Sequence, residues 1–170
     1  MTNSQMQALR QKYIIRLMKV KGILIKSLIF LILLFLGYYF FSKFLIEKEK
    51  NLALHYSNLV QNKVAYINLT KLDPKDPAFD TQKSDLIGII KETNKNGLEN
   101  PINDQEKETF MRQGEILTKV YATKSYEEGV AILKSPESVT NLADQTKLIQ
   151  ELNSQIQKLR EFPLLRLGWR

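Results

Sequence analysis

The stretch GILIKSLIFLILLFLGYYFFSKFLI, Gly22 to Ile46, decides how the rest of this chain is read, and the 16 residues between Lys26 and Lys43 carry no charge. As a helix those residues rise about 24 Å, short of a hydrocarbon core of about 30 Å. The apolar turns at Ile23 to Ile25 and Phe44 to Ile46 extend the run to about 37 Å. The expectation is a transmembrane helix over residues 23–46. Lys26 and Lys43 would then lie near the two interfaces, where their long stems carry the ammonium groups outward. Tyr38 and Tyr39, with Phe44, crowd one end as an aromatic belt does. Lys26, Tyr38, Tyr39 and Lys43 are therefore the expected membrane anchors, and the lipid bilayer is the first expected partner. A cleaved signal peptide needs small residues at its cleavage site, and YYFFSKF offers no such pattern. A buried soluble helix would need far more apolar partner surface than the strongly polar remainder supplies.

Charge orients the segment. The chain has 25 Lys and Arg, 18 Asp and Glu, one His and a net charge of +7, and residues 1–46 contain seven basic residues and no acidic one. The remaining basic and acidic residues balance at 18 each. Six basic residues precede the apolar core, whereas Lys43, Lys48 and Lys50 follow it interleaved with Glu47 and Glu49. The positive-inside rule keeps the N-terminus on the cytoplasmic or matrix face and puts the rest of the chain on the far side. Residues 1–22 repeat Met6, Leu9, Tyr13, Leu17 and Val20 at helical spacing among basic residues. That pattern reads as a headgroup-lying helix, a targeting segment, or an ordinary basic flank of the span. Nucleic acid is not expected as a partner, because anionic lipid competes for the same charges.

Residues 47–170 read as helical, so the expected fold is an all-α membrane protein. The stripe Ala53, Tyr56, Val60, Val64 and Ile67, joined by Leu52 and Leu59, continues the helix beyond the span. Pro74 and Pro77 stop it and mark a loop at 71–84. DLIGIIKET, 85–93, reads as a short helix, and Asn96-Gly97 with Asn100-Pro101 as a second loop. Asn103 or Asp104 then caps a helix bearing Phe110, Ile116, Leu117, Val120 and Tyr121 that ends near Thr123. Ser125 with Glu128 forms a capping box before Val130, Ile132 and Leu133. Ser135 caps the last helix with Pro136 in its first position. That helix carries Leu142, Gln145, Ile149, Leu152, Ile156 and Leu159 at heptad core positions over about two and a half heptads, with Gln145 interrupting them; packing on its own or a partner's helices is expected, with a short C-terminal coiled coil as the alternative. The apolar terminus adds Leu164, Leu165 and Trp169. Leu142, Ile149, Leu152, Ile156, Leu159, Leu164, Leu165 and Trp169 are the expected partner contacts, on the protein's own helices or on other subunits.

Chemistry is sparse. The absence of cysteine removes disulfides, thiolate nucleophiles and Cys-ligated metal centres. His55 has no evident metal or acid–base companion in the sequence and reads as polar surface. Asp73, Asp76 and Asp80 do not follow a calcium-loop pattern. No Gly-rich phosphate loop, nucleophile elbow or paired zinc histidines occurs in the chain. No cofactor, metal, small-molecule substrate or catalytic residue is expected. The function read from these features is a non-catalytic single-pass accessory subunit of a large inner-membrane complex, such as a mitochondrial respiratory-chain or ATP synthase assembly. The alternative is a bacterial envelope protein with a periplasmic binding or tethering module.

Overall fold

The computed structural model describes residues 3–162, apart from the side chains of residues 3–5, 7–9 and 15. It is all-helical over those residues: α1 (Asn3–Leu69), α2 (Phe79–Glu99), α3 (Asp104–Tyr121), α4 (Tyr126–Leu133) and α5 (Pro136–Arg160). The chain divides into two compact units, Met1–Leu45 and Ile46–Arg170, and α1 contributes to both.

The described part of the first unit is helix alone. No proline interrupts it, and every residue from Ile23 to Gly37 is exposed. Among the described residues α1 is the one helix long and apolar enough to cross a membrane, and none of its most apolar window is buried within the protein.

The second unit packs the C-terminal part of α1 with α2, α3, α4 and α5 around two apolar clusters. One joins Ala65, Tyr66 and Leu69 of α1 to Ile90, Ile116, Leu117 and Leu133. The other joins Leu52 and Leu59 to Phe110 of α3 and to Leu148, Leu152 and Ile156 of α5.

Three of the helix starts follow from local chemistry. Asn103 Oδ1 accepts the Glu106 N–H at 2.8 Å, and Glu106 Oε2 in turn accepts the Ile102 N–H at 2.6 Å. Ser125 and Glu128 repeat the device, with Ser125 Oγ accepting the Glu128 N–H at 3.2 Å and Glu128 Oε2 accepting the Lys124 N–H at 3.1 Å. Both are capping boxes whose glutamate reaches one residue further back than usual. Ser135 caps α5 through the Ser138 N–H at 3.3 Å, with Pro136 next to it.

α2 differs from the sequence expectation at both ends. It begins at Phe79, so the loop covers residues 70–78 and does not reach 84. Asp73 and Asp76 fold that loop by accepting the Lys75 and Ala78 backbone N–H groups at 2.9 and 2.8 Å. No side chain caps the start of α2, so the usual signal of a helix N-terminus is missing there. The helix also runs through Asn96-Gly97 to Glu99. The ring of Phe110 occupies the space where a Cβ on residue 97 would stand, so glycine serves close packing of α2 on α3 and makes no turn.

The inward face of α1 is likewise rotated from the expected stripe. Leu52, His55, Leu59, Asn62, Ala65, Tyr66 and Leu69 are buried, whereas Val64 is exposed and Ala53, Tyr56, Val60 and Ile67 are half-buried. Two of the inward positions are polar, and an apolar pattern cannot register them.

Candidate functional site

Between the two apolar clusters lies one turn of each long helix in which polar residues point inward: Asn62 on α1, Thr93 and Asn94 on α2, Gln113 on α3 and Gln145 on α5. Asn62, Gln113 and Gln145 have no solvent exposure. Asn62 is the hub of this seam. Its Oδ1 accepts from Gln113 Nε2 at 2.6 Å and from Gln145 Nε2 at 3.2 Å, and its Nδ2 donates to Thr93 Oγ1 at 2.7 Å. Asn94 Nδ2 donates to the Phe110 carbonyl at 3.1 Å and to Gln113 Oε1 at 3.3 Å. Four helices are thus tied at one level, and removing Asn62 would strand the Gln113 and Gln145 amides away from water.

The seam also contains unsatisfied atoms. Gln145 Oε1, Asn141 Oδ1 and Tyr66 Oη are buried without a hydrogen-bond partner. Burial is the chief cause that pushes the Tyr66 phenol above its ordinary value, and the charge of Glu137 adds to it. Tyr121 and Tyr126 are raised too, in each case chiefly by burial.

His55 is buried, which corrects its reading as polar surface. Its Nδ1 lies 3.1 Å from both Oε1 and Oε2 of Glu106, which has no exposure at all. Glu106 sits in the first turn of α3, where the helix dipole favours its charge. The pair joins α1 to α3 and lines neither of the cavities described below. Among the described residues no three His, Cys, Asp or Glu side chains gather to hold a metal ion.

Two hollows open beside α2. A cavity of about 210 Å³ is floored by Leu69, Ile87, Val120 and Leu133 and edged by Lys83 and Tyr126. An open groove of about 430 Å³ lies over Gly114, Leu117 and Leu98, with Lys91, Asn94 and Lys95 along one side. Tyr121 lines both. Lys83 Nζ stands 5.7 Å from the Phe79 ring centroid and 5.8 Å from that of Tyr126, and Lys91 Nζ stands 4.7 Å from the Tyr121 centroid. Tyr126 is fixed in turn by its hydroxyl, which donates to the Leu69 carbonyl at 2.7 Å.

The expected anchors lie along α1. Lys26, Tyr39 and Lys43 are exposed and Tyr38 is half-buried, with Lys43 Nζ 5.8 Å from the Tyr39 ring centroid. Of the expected partner contacts, Leu152 and Ile156 are buried in the second cluster and Ile149 and Leu159 pack against it, while Leu142 packs against the first. Leu152 and Ile156 are thus covered within the chain itself, while Leu142, Ile149 and Leu159 are covered only in part. Leu164, Leu165 and Trp169 lie outside the described residues. Sequence reasoning missed Asn62, Gln113 and the lysines over aromatic rings; its one visible trace of the seam was Gln145, which interrupts the heptad stripe. No family of known proteins, no curated protein and no solved structure matches this chain.

Proposed function

We propose that the protein is a non-catalytic, single-pass membrane protein whose helical unit is a binding or tethering module held at the membrane surface. The N-terminal basic segment stays on the positive-inside face, and residues 46–170 work on the other. The observation that carries this reading is a contrast within the chain. Residues 23–37 of the apolar stretch are all exposed, while the unit beside it in sequence has two apolar clusters of its own. The first needs a lipid or protein environment to be soluble. The second has no such need, and this favours a self-supporting module in a bacterial envelope over an obligate accessory subunit of a mitochondrial inner-membrane complex. The enclosure of His55 and Glu106, the one buried acid–base pair among the described residues, supports a binding role over catalysis.

The absence of cysteine makes topology directly measurable. Single cysteines placed at Lys12 and at Lys134 should differ in labelling by a membrane-impermeant maleimide on sealed cells: Lys134→Cys reacts after the outer barrier is opened, and Lys12→Cys only after the membrane is lysed. Equal labelling at both sites, or release of the protein from membranes at alkaline pH, would remove the single-pass reading. Purification of the tagged protein in mild detergent separates the two settings. A small species that unfolds cooperatively fits the module, and recovery only within a large stoichiometric assembly fits the accessory subunit.

A further inference from the structure

We infer that the α2–α3 face of the helical unit is a docking groove for an acidic peptide segment carrying two apolar anchor residues. This rests on the reading of the unit as a binding module and names the chemistry of its partner. Lys83, Ile87, Lys91 and Lys95 recur every four residues along α2 and so form one ridge of that helix. The 210 Å³ cavity and the 430 Å³ groove open beside the ridge and share Tyr121, giving two adjoining hollows, the first with an apolar floor and a polar rim. From Lys83 to Leu98 the helix rises about 22 Å, the length of an extended segment of about seven residues.

Charge selects the occupant. The Lys83 and Lys91 ammonium groups rest on aromatic faces, and among the described residues neither they nor Lys124 form an ion pair with a carboxylate. Among the described residues Glu99 is the only acid lining either hollow, and it lies at one end, 3.7 Å from Lys95. A cation positioned over a ring is oriented without being neutralised, so its charge remains available to a carboxylate from outside. Asn94 supplies a backbone contact. It is only 6 % exposed, its amide N–H groups are committed inside the unit, and its Oδ1 accepts no hydrogen bond from described residues. That oxygen stands 4.0 Å from where a Cβ on Gly114 would be, at the floor of the groove, where the N–H of a docked strand would reach it.

The test uses the full chain in nanodiscs of zwitterionic lipid, with fluorescein-labelled peptide DFEDELD read by anisotropy. DSEDESD, which keeps the charge without the anchors, and KFKRKLK, which keeps the anchors with opposite charge, are the controls. Saturable binding of DFEDELD is expected, with both controls at least about tenfold weaker. Lys83→Gln combined with Lys91→Gln should weaken it about tenfold. Gly114→Leu should weaken it as much by filling the groove, with a melting temperature no lower than the parent's, because a Cβ there meets nothing closer than Asn94 Oδ1 at 4.0 Å and leucine is the better helix former. Equal binding of either control, indifference to both variants, or no binding of any peptide overturns the groove. Discrete partners recovered in the native purification would then still leave the tethering reading standing, and the loss of both results would remove both.

Discussion

Along α1, residues 23–37 expose Leu, Ile and Phe side chains, while residues 46–69 bury a histidine and an asparagine. The first stretch makes no use of the rest of the chain: every one of its residues is exposed. The second is intelligible only through partners brought from afar. His55 meets Glu106, 51 residues on, and Asn62 meets Gln113 and Gln145, 51 and 83 residues on. Helix propensity and periodicity describe the first kind of segment well. The second kind depends on how several helices share one buried level, which is a property of the assembled unit.

Changes that make the first stretch like the second should have the largest effect. Replacing Leu31 and Phe35 with lysine places two charges on the proposed span, each costing about 3 kcal/mol at its centre, and carbonate extraction should release most of the protein from membranes. Within the helical unit, Phe110→Ala should lower stability by about 3–5 kcal/mol, seen as a drop in melting temperature, because a fully buried ring is lost from the second cluster.

Asn62→Leu tests the inverse exchange, an apolar residue for a buried polar hub. It leaves the Gln113 and Gln145 amides without their shared acceptor, so a loss of about 2–3 kcal/mol is expected even though an apolar side chain replaces a polar one. A gain in stability would show that the seam serves something other than holding the helices together. Tyr66→Phe should be the mildest change, within about 1 kcal/mol near neutral pH, since the hydroxyl it removes has no partner. Its effect should grow in alkali. The folded-state pKa of Tyr66 is raised, so its contribution is complete below the ordinary tyrosine value and is lost as pH climbs through the folded one. Stability profiles of the parent and Tyr66→Phe should therefore separate above about pH 10, with the variant declining less steeply.

The same contrast explains what was legible in the sequence. The apolar run of α1 and the caps at Asn103, Ser125 and Ser135 are written in neighbouring residues, and each appears where expected. The stripe of α5 is only partly so: Gln145, Leu152 and Ile156 are buried, but Asn141 and Leu148 take the inward places expected of Leu142 and Ile149. The start of α2 was hidden because Ala78 offers no side-chain cap, and its end because Gly97 resembles a turn signal while serving the Phe110 ring. The inward face of α1 was misjudged by a rotation, since His55 and Asn62 occupy core positions with polar side chains. Of the proposed docking face, only the four-residue lysine spacing could have been noticed. Tyr121, on the helix expected to bear it, is exposed and lines both hollows.

The fit of Gly97 to Phe110 has an evolutionary consequence. A methyl group at 97 is tolerable only if the ring at 110 shrinks, and a smaller residue at 110 leaves a void that a methyl at 97 would partly fill. Gly97→Ala and Phe110→Val should each be harmful alone and less harmful together than their sum. In any lineage descended from this chain the two positions should therefore change as a pair, and a glycine lost at 97 would mark a protein that has also given up its phenylalanine.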